Sequence, residues 1–175
     1  MILNAVIHGR YHYAQTWVEM EELIAEVVEN SIPEQPGPGI NPGEDACFMF
    51  ARDRHSAETF SWWPDNYLRI AVNPETGYGA LVWFVSAERH AEPDDEISKH
   101  FWVSDNPNPP DFDPRVVSDP GYPKFHDPRS TLPIAQVRAA LEEFCREGTG
   151  NRPQRIRWVT GEMDGQRHDI SANSD

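Results

Sequence analysis

The apolar positions change period several times along the chain, and each change marks an element. Ile2 to His8 is rich in branched residues and stops at Gly9, which predicts a first strand. Apolar residues then recur at Trp17, Met20, Leu23, Ile24, Val27 and Val28, the spacing of one helical face. Thr16 stands in front of that run with Glu19 three residues on. In this pattern the Thr hydroxyl accepts from the third helical N–H while the Glu reaches back to the cap. The spacing predicts a helix over residues 17–30, followed by a loop from Pro33 to Pro42.

Ala46 to Phe50 reads as a short strand, and residues 51–65, with Trp62 and Trp63, as irregular. Leu68, Ile70 and Val72 alternate with Tyr67, Arg69 and Ala71, the pattern of a strand buried on one side. Asn73, Pro74 and Gly77 supply a turn, and Tyr78 to Val85 return as a more completely apolar strand. Lys99 to Val103 predicts another strand, and the proline-rich stretch 105–129 a long loop. Pro133 opens a second helix, where a missing N–H does no harm, with Ile134, Val137, Leu141, Phe144 and Cys145 on one face. Gly148 suits the left-handed position after its last turn. Arg155 to Val159 alternates again and predicts a last strand. The order β-α-β-β-β-β-α-β implies an α+β fold: a mostly antiparallel sheet of about five to six strands with two helices packed on one face. A single domain over 1–162 is expected, with 163–175 as a polar, mobile tail.

Charge sharpens this picture. Against 15 Lys and Arg stand 29 Asp and Glu, a net charge of -14. No Lys or Arg occurs between Arg10 and Arg52, where Glu19, Glu21, Glu22, Glu26, Glu29, Glu34, Glu44 and Asp45 lie. Stretch 91–119 holds Glu92, Asp94, Asp95, Glu96, Asp105, Asp111, Asp113 and Asp119 against Lys99 and Arg115 alone. The rest of the chain is neutral, so the net charge resides in these two stretches. A field of one sign repels nucleic acid and anionic membrane and attracts cationic partners. With 38% hydrophobic residues, the chain has too much apolar content for an acidic disordered protein. The longest uncharged apolar run, Gly79 to Ser86, is far short of the roughly 20 residues of a membrane helix. Met1 to Gly9 lacks the basic and apolar regions of a secretory signal. A reducing cytoplasm is the expected setting, with Cys47 and Cys145 as buried core thiols.

Positive signs of catalysis are missing. His8 and His12 stand four apart, but on a strand, where that spacing does not converge on a metal. His90 beside Asp94 and Asp95, and His126 beside Asp127, are sequence neighbours without ligand spacing. No Gly-x-Ser-x-Gly, phosphate-binding loop, dinucleotide fingerprint or Cys-x-x-Cys occurs. No catalytic residue, cofactor or metal is therefore expected. Two stretches instead read as docking surfaces. One is the carboxylate stripe Glu22, Glu26 and Glu29 on the first helix. The other is Glu92, Asp94, Asp95, Glu96, Asp105, Asp111 and Asp113, with Phe112 at the centre of a proline-stiffened loop. Trp62 and Trp63 are further candidates for an exposed aromatic.

Taken in order, the hairpin Leu68-x-Ile70-x-Val72 … Gly77-x-Gly79-Ala80-Leu81-x-Trp83, then Leu132-Pro133, the helix Val137-Arg138-x-Ala140-Leu141-x-Glu143-Phe144 and Arg152-Pro153-x-x-Ile156-x-Trp158 form a pattern. It resembles the first-numbered immunity-protein family of bacterial polymorphic toxin systems, common beside deaminase-type toxins, over about residues 66–160. The resemblance implies a small cytoplasmic antidote, without enzymatic activity, that binds and neutralises a cognate toxin. The expected partner is a basic, zinc-dependent nucleic-acid (cytosine) deaminase held 1:1, with no direct contact to nucleic acid or membrane. The stretch 91–119, joined by the first helix, is expected to occlude its active site. The alternatives are an acidic, non-catalytic adaptor of another bacterial complex, and a metal-dependent hydrolase using His8, His12, His90 or His126.

Overall fold

Residues 1–30, 45–56, 58, 64–89, 96–119 and 124–169 are described by a computed structural model of the chain. The first strand, β1 (Ile2–Ile7), does not lead straight to the helix. His8 and Gly9, both with positive φ (49° and 71°), turn it into a second strand, β2 (Arg10–Ala14), that the sequence reading omitted. Two consecutive positive-φ residues twist a two-residue turn in the sense a hairpin needs. Helix α1 (Trp17–Glu29) then starts with both halves of the expected capping box in place, and Asn30 ends it in the left-handed conformation. Strands β3 (Ala46–Ala51), β4 (Asn66–Asn73) and β5 (Tyr78–Val85) follow, the last two as the expected hairpin. Strand β6 (Phe101–Asp105) comes after a short 3-10 turn, and β7 (Val117–Asp119) and β8 (Lys124–Phe125) form a small separate ladder. The two-residue β9 (Leu132–Pro133) leads into α2 (Ile134–Glu147), which ends at Gly148, and β10 (Arg157–Gly161) is the last strand.

Every ladder is antiparallel, in the order β10-β6-β5-β4-β3-β1-β2, with β9 alongside β5. The fold is therefore α+β, and its eight-stranded sheet exceeds the five or six strands expected. The additions come from β2 and β9, both too short or too mixed in polarity to stand out in a sequence. One face of the sheet, carrying Leu3, Ala5, Ile7, Phe48, Phe50, Leu68, Ile70, Val72, Leu81, Trp83 and Val85, packs against both helices in the main core. Gly79 leaves no room for a side chain between the sheet and α2: a Cβ there would sit 2.7 Å from the Ala71 carbonyl oxygen and 3.2 Å from Val137 Cγ2.

The opposite face was expected to be wet, and it is covered. Tyr67, Arg69 and Ala71, read as the solvent side of a half-buried strand, are all buried. The chain following β6 folds back over them, placing Val116 on Ala71 and Ala80. Arg69 donates to the Ser118 and Met163 carbonyls and pairs with Asp45. Residues 105–119 and 124–129 thus form a cover held by specific bonds. Residues 163–169, expected as the start of a mobile tail, are also tied down. Gly161 bridges to Arg167, whose guanidinium is 3% exposed between Asp105 at 2.8 Å and Asp169 at 2.7 Å.

Candidate interaction surface

Helix α1 buries Met20, Leu23, Ile24 and Val27 against the core. Helical geometry then sends Val18, Glu22, Ala25 and Glu29, spaced four, three and four apart, to the opposite side, with Glu21 and Glu26 flanking them. All four glutamates are exposed, and Val18 is 64% exposed. Among the described residues none of the four makes an ion pair or a side-chain hydrogen bond. Glu19 differs: its carboxylate accepts from the Gln15 and Thr16 N–H groups, which hold it below the usual carboxylate range. The last turn of α1 contains no basic residue, so Glu26 and Glu29 stand near the negative end of the helix dipole. Like-charged neighbours at these spacings cost about 0.2–0.5 kcal/mol per pair. The row is therefore carried at some expense to stability.

The described carboxylates of the second acidic stretch do not lie together. Glu92, Asp94 and Asp95 lie outside the described residues, as do Trp62, Trp63 and His90. Glu96 is exposed but bonds Lys99 at 2.9 Å and His100 at 3.3 Å, and the hydrogen bonds from these two neighbours lower its pKa. Asp105 faces inward and accepts from Arg167 at 2.8 Å and lies 3.3 Å from Arg157, so it is a structural carboxylate. Asp111, Phe112 and Asp113 are exposed at the tip of the cover segment. There Phe112, 48% exposed, meets Tyr78 edge-on at 5.7 Å, and Pro114 accepts from Asn73 and Thr76. This tip sits at the turn end of the β4–β5 hairpin, whereas Glu96 sits beyond its far end. At roughly 3.3 Å per strand residue, the length of β5 puts them about 23 Å apart. Asn30 donates to the Val72 carbonyl at 2.9 Å, so the C-terminal end of α1 reaches the same turn end from the helical face.

The cations explain why these carboxylates remain uncompensated. Arg54 lies over Tyr13, Arg115 over Phe125, Arg146 over Trp17 at 3.6 Å and Arg152 over Trp102 at 4.1 Å. Arg69, Arg89, Lys99, Lys124, Arg129, Arg138, Arg157 and Arg167 face carboxylates elsewhere. Among the described residues only Arg10, Arg52 and Arg155 have neither kind of partner, and none of them pairs with α1.

The groups that could carry chemistry are placed differently. Burial pushes the Cys47 and Cys145 thiols up to about 12, so both stay protonated near neutral pH. His12 sits opposite Ala5 in the β1–β2 hairpin, and the Nε2 atoms of His8 and His12 are buried without a hydrogen-bond partner. Among the described residues no group of three or more His, Cys, Asp or Glu could hold a metal ion. No helix there is long and apolar enough to cross a membrane. Beside α1, by contrast, Met1, Trp17, Met20 and Phe50 line an open groove of about 530 Å³ with Cys145, Arg146 and Gly148. Val18 and this groove escaped the sequence reading. The available signal was a valine at a helical position that the apolar stripe skips.

Comparison with curated proteins and with solved structures gives no match. A family model described as immunity protein Imm1 matches residues 8–160, from the first hairpin to the last strand. By that match the chain belongs to the Imm1 family of immunity proteins.

Proposed function

We propose that this immunity protein neutralises its cognate toxin by binding alone, without chemistry of its own, and that the toxin is a basic nucleic-acid enzyme of the cytosine deaminase class. The observation carrying this reading is the imbalance of partners: among the described residues most cations are engaged within the molecule, while Glu21, Glu22, Glu26 and Glu29 of α1 pair with none. An enzyme acting on a nucleic-acid base must offer phosphates a positive groove and take the base into a zinc pocket. An acidic protein of fixed shape is steered onto such a groove and competes with the substrate for it. Inhibition on this account is occlusion in a 1:1 heterodimer, in the cytoplasm where toxin and nucleic acid meet. Two thiols held protonated offer no activated nucleophile, which agrees with a purely binding role.

The test uses the toxin domain encoded beside this chain. Titrated with the purified protein, its conversion of cytosine to uracil within single-stranded DNA, with loss of ammonia, should fall linearly and vanish at one equivalent. Full activity at saturating antidote would end the reading. So would turnover of nucleic acid by this chain alone.

A further inference from the structure

We infer that the toxin docks along α1, laying a basic segment over Val18, Glu22, Ala25 and Glu29. This rests on the proposed recognition of a basic toxin and fixes which face performs it. The surface is a line from Val18 to Glu29 on the side of α1 away from the core, about 17 Å long at 1.5 Å per residue. Val18 and Ala25 alternate along that line with Glu22 and Glu29, while Glu21 and Glu26 flank it. Apolar positions ringed by charge are the composition of an interface centre and its rim.

Charge identifies the occupant. The four free glutamates have no counter-ion in the described molecule, and the following residues 31–44 contain no Lys or Arg that could supply one. A partner bearing Lys or Arg at helical or extended spacing satisfies this row; an acidic or neutral one leaves it as repulsive as before. The other acidic candidates fit less well. Glu96 has Lys99 and His100, and Asp105 is clasped by Arg167. The Asp111–Asp113 tip offers two carboxylates around Phe112, which leans on Tyr78.

Two variants separate the steps of docking, and both change only exposed side chains. In the first, Glu21→Gln, Glu22→Gln, Glu26→Gln and Glu29→Gln are combined, keeping helix propensity while removing charge. In the second, Val18→Asp places a charge at the apolar centre. A third, Asp111→Asn with Phe112→Ala and Asp113→Asn, samples the competing tip. Binding of each to an inactivated form of the toxin domain is followed by stopped flow at several salt concentrations, with thermal melts confirming the fold. The expected result is association about tenfold slower, with a flattened salt dependence, for the glutamine variant. Val18→Asp should dissociate about tenfold faster, and the tip variant should resemble wild type. Wild-type binding that is strong and salt-dependent, yet unaltered by either α1 variant, would overturn docking on α1 while leaving acidic recognition intact. Binding of the wild type without salt dependence would instead remove the acidic reading on which this inference stands.

Discussion

Under the cover segment His126 is 3% exposed, and its Nδ1 has no hydrogen-bond partner. Burial and the nearby Arg69 push its pKa down to about 3, so the ring is neutral in the folded protein. In the unfolded chain the same imidazole titrates near 6.5. Between these values the unfolded state binds more protons, so stability falls as pH drops from 6.5 toward 3 and is independent of this group above that window. The predicted slope is up to about 1.4 kcal/mol per pH unit, measured by urea denaturation across pH 4–7. His126→Gln should be less stable than wild type at pH 7 and show a shallower slope. The ring is also packed against backbone: Gly165 has φ 82°, and a Cβ there would fall 2.3 Å from His126 Cε1. Asp105→Asn should cost about 2 kcal/mol, because it weakens the pairing of a buried guanidinium that retains only Asp169. None of this was legible in the sequence. Arg69 alternates with Leu68 and Ile70 as a solvent-facing residue would, and only the cover laid over it makes it internal.

At the scale of elements, the strongest local signals corresponded to real structure. The capping box is formed as Thr16 and Glu19 predict, so Thr16→Ala should lower stability by about 1 kcal/mol in thermal melts. The glutamine variant of α1 should move the other way. Removing like-charge contacts among Glu19, Glu22, Glu26 and Glu29 should gain about 1 kcal/mol in all, at 0.2–0.5 per pair. A gain in stability joined to a loss of binding would distinguish a surface kept for a partner from one kept for folding. The β4–β5 hairpin was legible because both strands carry long apolar runs around a proline- and glycine-bearing turn. The β1–β2 hairpin was missed although Gly9 announced a turn, because Arg10-Tyr11-His12-Tyr13 mixes polar and aromatic residues on both sides. Strands β7, β8 and β9 have two or three residues each and exist through contacts of β7 with β4, β8 with β7 and β9 with β5, which no local pattern records. The return of residues 163–169 likewise depends on Arg167 meeting Asp105, far away in sequence.

For the whole molecule, composition located the charge but not its arrangement. The sequence confined the net charge to two stretches, and the structure sets the described carboxylates of the second near opposite ends of β5 while leaving the α1 row whole and, among the described residues, unpaired. The resemblance carried by the hairpin, the second helix and the last strand led to the family because those residues are core and turn positions that fix a fold. They fix no contact surface, so the toxin-binding side chains had to be sought among residues the fold leaves unused. An immunity protein has a cognate toxin, and the proposed docking makes charge the first term in their meeting. The direct measurement is the association rate of this chain with its toxin domain as a function of ionic strength. The account predicts a rate that falls steeply, by about tenfold or more from low to physiological salt, and a shallower fall when the α1 glutamates are replaced by glutamine. A rate indifferent to salt in the wild-type protein would contradict it.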